Sequence, residues 1–196
     1  MQPFKKNEIL IVGVVLLVIF ILSYFNLRLA LRRARDFQRK DDIGNIANAL
    51  FLFKEDFGFY PPASADGKIV ACGQQVRLED LGSNENVKAL TDLYEPCRWG
   101  WDALADISDA SYTPYLKPIP ADPQNQLGAS YRYVSTLNNF QIYAALEGKD
   151  EDEYNESIAA HGFICGNRTC NFGKASSGVP LDINLEVYEN VNRNQE

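Results

Sequence analysis

Histidine and methionine occur once each, tryptophan twice and cysteine four times in 196 residues. That leaves little material for metal or redox chemistry. His161, between Ala160 and Gly162 in a stretch with few structural cues, reads as a surface or loop residue rather than a general base. Gly-x-Ser-x-Gly, P-loop and HExxH patterns are absent, so no catalytic constellation is legible and a non-enzymatic role is expected. There is no internal repeat, and the composition is not that of a collagen, a mucin stalk or a wholly disordered chain. Positive charge is scarce beyond residue 40: those 156 residues carry eleven Lys/Arg against 24 acids, a net of −13. Residues 1–40 carry eight Lys/Arg and two acids, a net of +6. An acidic body repels a phosphate backbone, so nucleic acid is not expected as a partner. The length suits one domain with an appendage.

Charge is missing altogether from Ile9 to Phe25, where ILIVGVVLLVIFILSYF runs for seventeen residues. As a helix this covers roughly 25 Å, just under the ~30 Å hydrocarbon core of a bilayer. Leu27, Leu29 and Leu31 lie beyond it, so the span can be extended by snorkelling. The run is apolar all round, with no amphipathic stripe, which suits lipid rather than a protein core. The residues that follow, Asn26-Leu27-Arg28-Leu29, offer no small-x-small cleavage site, so the segment reads as an uncleaved signal anchor. Lys5 and Lys6 precede it, whereas Arg28, Arg32, Arg33, Arg35, Arg39 and Lys40 follow it. By the positive-inside rule alone, the body would lie in the cytoplasm.

Proline is absent from Arg28 to Phe57 and glycine occurs there once, at Gly44. Ile43, Ile46, Ala47, Leu50, Phe53 and Phe57 recur mostly at spacings of three and four, the stripe of an amphipathic helix. Gly58 can cap it and Pro61-Pro62 cannot continue it. One helix is therefore expected from about Glu8 to Phe57. Four segments follow from this reading: 1–8, a short basic leader-like stretch; 9–27, the membrane helix; 28–58, its amphipathic continuation; and 59–196, a head with a loop-rich tail. Lys68–Val76, Tyr131–Thr136 and Phe140–Leu146 have strand-like composition, and Leu137-Asn138-Asn139 reads as a hairpin link. Asn84–Tyr94 reads as a short helix. Glu147–Glu156 holds six acids in ten positions and reads as solvated loop. The fold class expected is α+β, a long N-terminal helix packed by its second half on a small antiparallel sheet.

Cys72, Cys97, Cys165 and Cys170 all lie beyond the apolar run, and four cysteines permit three pairings. Cys165-Gly-Asn-Arg-Thr-Cys170 is a short loop that a bridge could close, because Gly166 and Asn167 tolerate turns. That leaves Cys72 with Cys97. A four-thiolate zinc site and reduced buried thiols are the alternatives, although C-x4-C with two distant cysteines matches zinc knuckles weakly. Disulfides require an oxidising compartment and so oppose the charge count on orientation. Trp99 and Trp101 flank Gly100, either packed over a sheet edge or forming an exposed contact.

A membrane helix that continues unbroken into an amphipathic helix and then a short antiparallel sheet resembles the type IV pilin superfamily, and most closely the major-pseudopilin group of bacterial type II secretion. Three stretches carry the resemblance. ARDFQRKDDIGNIANALFLFKEDFGFYPP, residues 34–62, is similar to the family's passage from helix to loop. YLKPIPADPQNQ, residues 115–126, is similar to its Leu-Pro-x-Asp-Pro approach to the sheet, with Ile119 in place of the leucine. YRYVSTLNNFQIYAALE, residues 131–147, is similar to its central hairpin.

The resemblance implies a structural subunit whose partners are the lipid bilayer, other pilin-like subunits and an inner-membrane assembly platform. It also implies an N-terminus in the cytoplasm and a head outside. Phe4 and Glu8 have the family's spacing, which implies an assembly role for Glu8 and places the leader cleavage site at Pro3 and Phe4. Pro3, however, stands where the family has glycine, and Lys5, Lys6 and Asn7 fill positions that are normally apolar or small. Proline fixes φ and lacks the backbone N–H, so Met1–Pro3 is expected to be retained apart from the initiator Met. Relatives in the group hold calcium in a loop after the sheet, which makes Asp150 and Asp152 the candidate ligands here. The competing reading is an anchored binding module that keeps its leader and never polymerises.

Overall fold

The computed structural model describes residues 6–73, 94–109 and 111–193. Helix α1 runs without a break from Lys6 to Phe57, 52 residues or about 78 Å at helical rise. Residues 7–31 are exposed on every side, and this part of α1 is long and apolar enough to cross a membrane. From Asp36 onward the helix acquires a buried face. Ile43, Ile46, Ala47, Leu50 and Phe53 are all buried, as their spacing predicts, and Phe57 packs against the same core. Gly58 ends the helix at φ 80°, with its N–H donating to the Lys54 carbonyl at 2.7 Å. Only glycine adopts that left-handed conformation without cost.

The receiving surface is a three-stranded antiparallel sheet in the order β3–β4–β7, formed by Arg132–Ser135, Phe140–Ala144 and Phe172–Ala175. The β3–β4 hairpin pairs Ser135 with Phe140 and Arg132 with Tyr143, across the expected Leu137-Asn138-Asn139 link. All five residues of β4 are buried, because this central strand is covered on both faces. Its side chains alternate: Phe140, Ile142 and Ala144 join the core against α1, while Tyr143 joins a smaller second core. That second core contains Ile158 of helix α2, Glu156–His161, and the bonded pair Cys165–Cys170. The cysteines flank a two-stranded turn made of β5, Ile164–Cys165, and β6, Arg168–Thr169.

Strand β1 is Val70–Cys72, the central part of the expected 68–76 segment, and pairs with β2, Glu95–Pro96. Residues 74–76 and most of the expected helix at 84–94 lie outside the described residues. Tyr94 is described and buried. The tail also contains a helix that the sequence reading did not anticipate, α3 from Leu185 to Arg193. It is tied to the hairpin by the Glu189 carboxylate, which accepts from Thr136 Oγ1 and from Asn139 Nδ2. The fold is thus α+β, one long helix carrying small antiparallel sheets.

Candidate functional site

The face of α1 that meets the head changes chemistry along its length. Its distal half is apolar. Its proximal half continues the same three-and-four spacing with Arg28, Arg32, Arg35 and Arg39. The head answers that basic stripe with carboxylates from two places: Asp122, in the IPADP turn before the sheet, and the 147–153 loop that follows β4.

Arg39 is the centre of this contact and is fully buried. A guanidinium carries five N–H donors, and the Arg39 group makes five hydrogen bonds. Nε and Nη2 donate to the two Asp122 oxygens at 2.8 and 3.0 Å. Nη1 donates to Asp36 Oδ1 and to Glu147 Oε1, both at 2.8 Å. Nη2 also donates to Gln124 Oε1 at 3.0 Å. Asp36 in turn accepts the backbone N–H groups of Glu147 and Gly148, at 2.8 and 3.0 Å. The helix therefore fixes the start of the acidic loop through main chain as well as side chain. A buried charge is tolerated only when it is paired and its donors are satisfied, and both conditions hold here.

Glu147 accepts a two-pronged contact from Arg35, both distances 2.7 Å, besides the bond from Arg39. The Arg35 hydrogen bond, aided by Arg39 and opposed by burial, lowers the Glu147 carboxyl from 4.5 to about 2. Burial opposes the Arg39 charge, but the hydrogen bonds and charges of Asp122, Glu147 and Asp36 outweigh it and hold the guanidinium protonated, with its pKa raised. Asp42, one turn further along, is buried and accepts the Tyr131 hydroxyl at 2.6 Å. Burial is the main cause that pushes its carboxyl up.

The 147–156 stretch is not the free solvated loop expected from its charge. Besides Glu147, Asp150 takes Arg32 at 2.6 Å, and Glu151 and Glu153 both take Lys40, at 3.0 and 2.9 Å. Taken alone, the run has the charge density of a solvated loop. Its partners lie more than a hundred residues away, on α1. These pairs also bear on the calcium expectation. The Asp150 carboxylate is engaged by Arg32 at 2.6 Å, and among the described residues no three His, Cys, Asp or Glu side chains are grouped to hold a metal. Asp152 stands in the same loop, facing the groove that contains Arg33, Phe37 and Lys40.

The remaining expected residues fall as follows. Cys72 is bonded to Cys97 and Cys165 to Cys170, with Cα–Cα distances of 5.1 and 5.2 Å, inside the range a bridge spans. Among the described residues no cysteine is free. Glu8 lies in the first turn of α1. Pro3 and Phe4 lie outside the described residues. His161 closes α2, with its ring edge-on to Phe163. The two tryptophans divide between the two readings: Trp99 packs edge-on to Tyr131, whereas Trp101 is 80% exposed. No family model, curated protein or solved structure matches the chain.

The arrangement is built from side chains of α1 and of the head. It joins helix to head by ion pairs and packing, and Arg39, Asp122 and Glu147, which form its centre, were not singled out from the sequence. Asp122 lies within the turn motif quoted above, and the signal that could have found its partner is the opposite sign of the two charge runs.

Proposed function

We propose that the protein is a membrane-anchored structural subunit of the pilin-like or pseudopilin-like kind, belonging to a type IV pilus or a type II secretion-like system and assembling through its N-terminal helix. The observation that carries this reading is the unbroken α1, apolar and exposed over its first half and with one face buried in the head over its second. An exposed all-apolar helix needs lipid or other helices around it. The two disulfides support a head outside the cytoplasm, with the N-terminus inside, against the positive-inside count. In this reading the Arg32 and Lys40 side chains of α1 pair with the acidic loop, at the place that the pilin resemblance gives to calcium.

Pro3, Lys5 and Lys6 favour a second reading, an anchored head that keeps its leader and does not polymerise. Intact-mass analysis of the native chain, combined with crosslinking in membranes, separates the two. A chain beginning at N-methylated Phe4 and trapped in ladders of its own copies supports the assembling subunit. A chain that retains Met1–Pro3 and crosslinks only as a monomer overturns it in favour of the display module.

A further inference from the structure

Three arginines follow the apolar part of α1 within about one and a half turns: Arg28, Arg32 and Arg33. At helical rise they stand about 4, 10 and 12 Å beyond Phe25 along the axis. The headgroup layer occupies roughly the first 5–8 Å outside the hydrocarbon. Helical side chains lean toward the N-terminus, so long side chains at these positions reach back toward the apolar segment. Arg28 does so visibly, with its guanidinium 4.7 Å from the ring centre of Tyr24, near the end of the apolar run.

The charges at this level do not balance. Among the described residues, Asp150 is the only carboxylate paired with any of the three arginines. It meets Arg32 at 2.6 Å and Arg33 at 3.8 Å, and Arg28 has no carboxylate partner among the described residues. Arg32 itself is not fully satisfied. Its Nε–H is buried and finds no acceptor among the described residues. The group rests against bare backbone at Gly148, where a Cβ would stand 2.9 Å from Arg32 Cζ and 2.9 Å from Asp150 Oδ1. Three cations against one carboxylate, set beside a lipid-sized apolar segment, leave positive charge to attract a further anion, and the chemistry at that depth of a bilayer is phosphate.

We propose that Arg28, Arg32 and Arg33 form a binding site for the phosphate of an anionic phospholipid, and that Asp150 is the internal ligand this phosphate displaces from Arg32. The site rests on the reading of α1 as a membrane anchor. The loop carrying Asp150 then serves as the roof of a lipid headgroup. Arg35, Arg39 and Lys40 keep their own carboxylates when Arg32 turns downward, so the head stays clamped.

The test uses the full chain. Retention in membranes through an alkaline carbonate wash comes first, because release as soluble protein overturns the anchor reading itself. The detergent-solubilised protein is then titrated with dioleoyl phosphatidylglycerol and, separately, with dioleoyl phosphatidylcholine, and bound lipids are counted by native mass spectrometry. The expected result is a preference for the anionic lipid that falls about fivefold in Arg28→Ala and again in Arg33→Ala. Both side chains lie outside the buried clamp. Asp150→Asn and Gly148→Ala should raise the preference, the first by removing the competing carboxylate and the second by pushing Arg32 off it. A membrane-retained protein that binds both lipids equally, or whose preference ignores Arg28→Ala and Arg33→Ala, overturns the site and leaves the anchor standing. Binding of inorganic phosphate to the lipid-free protein that depends on Arg28 and Arg33, with equal binding of the two lipids, would assign the recognition to the free ion and overturn the lipid.

Discussion

Arg39 and Asp122 are 83 residues apart in the chain, and their side chains meet in a buried two-pronged contact at 2.8 and 3.0 Å. One end belongs to the helix and the other to the turn that leads into the sheet. Replacing Arg39 by methionine leaves Asp122 and Asp36 buried without their cation. The expected loss is about 3–5 kcal/mol, the range for breaking a buried ion pair from one side. Lysine keeps the charge but cannot supply the planar fork, so Arg39→Lys should fall between. Urea unfolding of the detergent-solubilised protein, followed by tryptophan fluorescence, measures both. An unchanged midpoint in Arg39→Met would remove the clamp from the account of stability.

The acid limb of stability should belong largely to Glu147. Its folded carboxyl sits at about 2, below the ordinary 4.5, chiefly through Arg35. A depressed carboxyl contributes stability that is fully present above the unfolded value and lost as pH falls through the folded one. The window is therefore pH 4.5 down to about 2, and the contribution is about 2–3 kcal/mol after allowance for solvent at the rim. Glu147→Gln should be less stable at pH 7 and lose less stability than the unaltered protein across that window. Thermal melts at half-unit pH steps give the comparison.

Asp42 has the opposite sign. Its carboxyl is pushed up, mainly by burial, so the folded state holds the proton more tightly than the unfolded chain does. Stability from this group is present at low pH and is lost as pH rises above the ordinary carboxylate value. Asparagine can still accept the Tyr131 hydroxyl through its Oδ1 and carries no charge to bury. Asp42→Asn is thus expected to be neutral or stabilising by up to about 1 kcal/mol at pH 7, and neutral or destabilising near pH 3. A large loss at pH 7 would show that the charge itself is needed.

The two bridges should differ in worth. Cys72–Cys97 spans 25 residues and Cys165–Cys170 spans five. In the chain-entropy model a loop of about 25 residues contributes ~3 kcal/mol and a short one about 1 kcal/mol less. Non-reducing peptide mapping should recover these two pairs and no third, and the Cys72→Ala/Cys97→Ala protein should melt lower than the Cys165→Ala/Cys170→Ala protein. Free thiols in protein taken from its native membrane would contradict the head's placement outside the cytoplasm.

Features that repeat along the chain were legible in the sequence, and features made by distant partners were not. The apolar run, the Ile43–Phe53 stripe, Gly58 and the 131–146 hairpin each carry a local signal, and all appear in the structure as expected. The cysteine pairing followed from the short 165–170 loop and elimination. Strand β7 gave no such signal, because FGKA at 172–175 has neither alternation nor strong strand composition. Helix α2 begins at an Asn155 cap whose side chain accepts from Ser157 and Ile158, within an acid-rich stretch that masked it. Arg39 was invisible for a different reason. On a helix following a membrane segment, an arginine reads as a topology signal, and nothing local distinguishes one that is to be buried from its neighbours.

From Val14 to Ile43, α1 contains neither glycine nor proline, and Arg39 locks its proximal half to the head. Anchor and head consequently share a single axis with no swivel. Each residue of helix advances about 1.5 Å and turns about 100°. Deleting one residue between Phe25 and Arg32 would therefore draw the head ~1.5 Å toward the apolar segment and swing it through ~100°, so the direction the head faces is encoded by the residue count of six positions of helix.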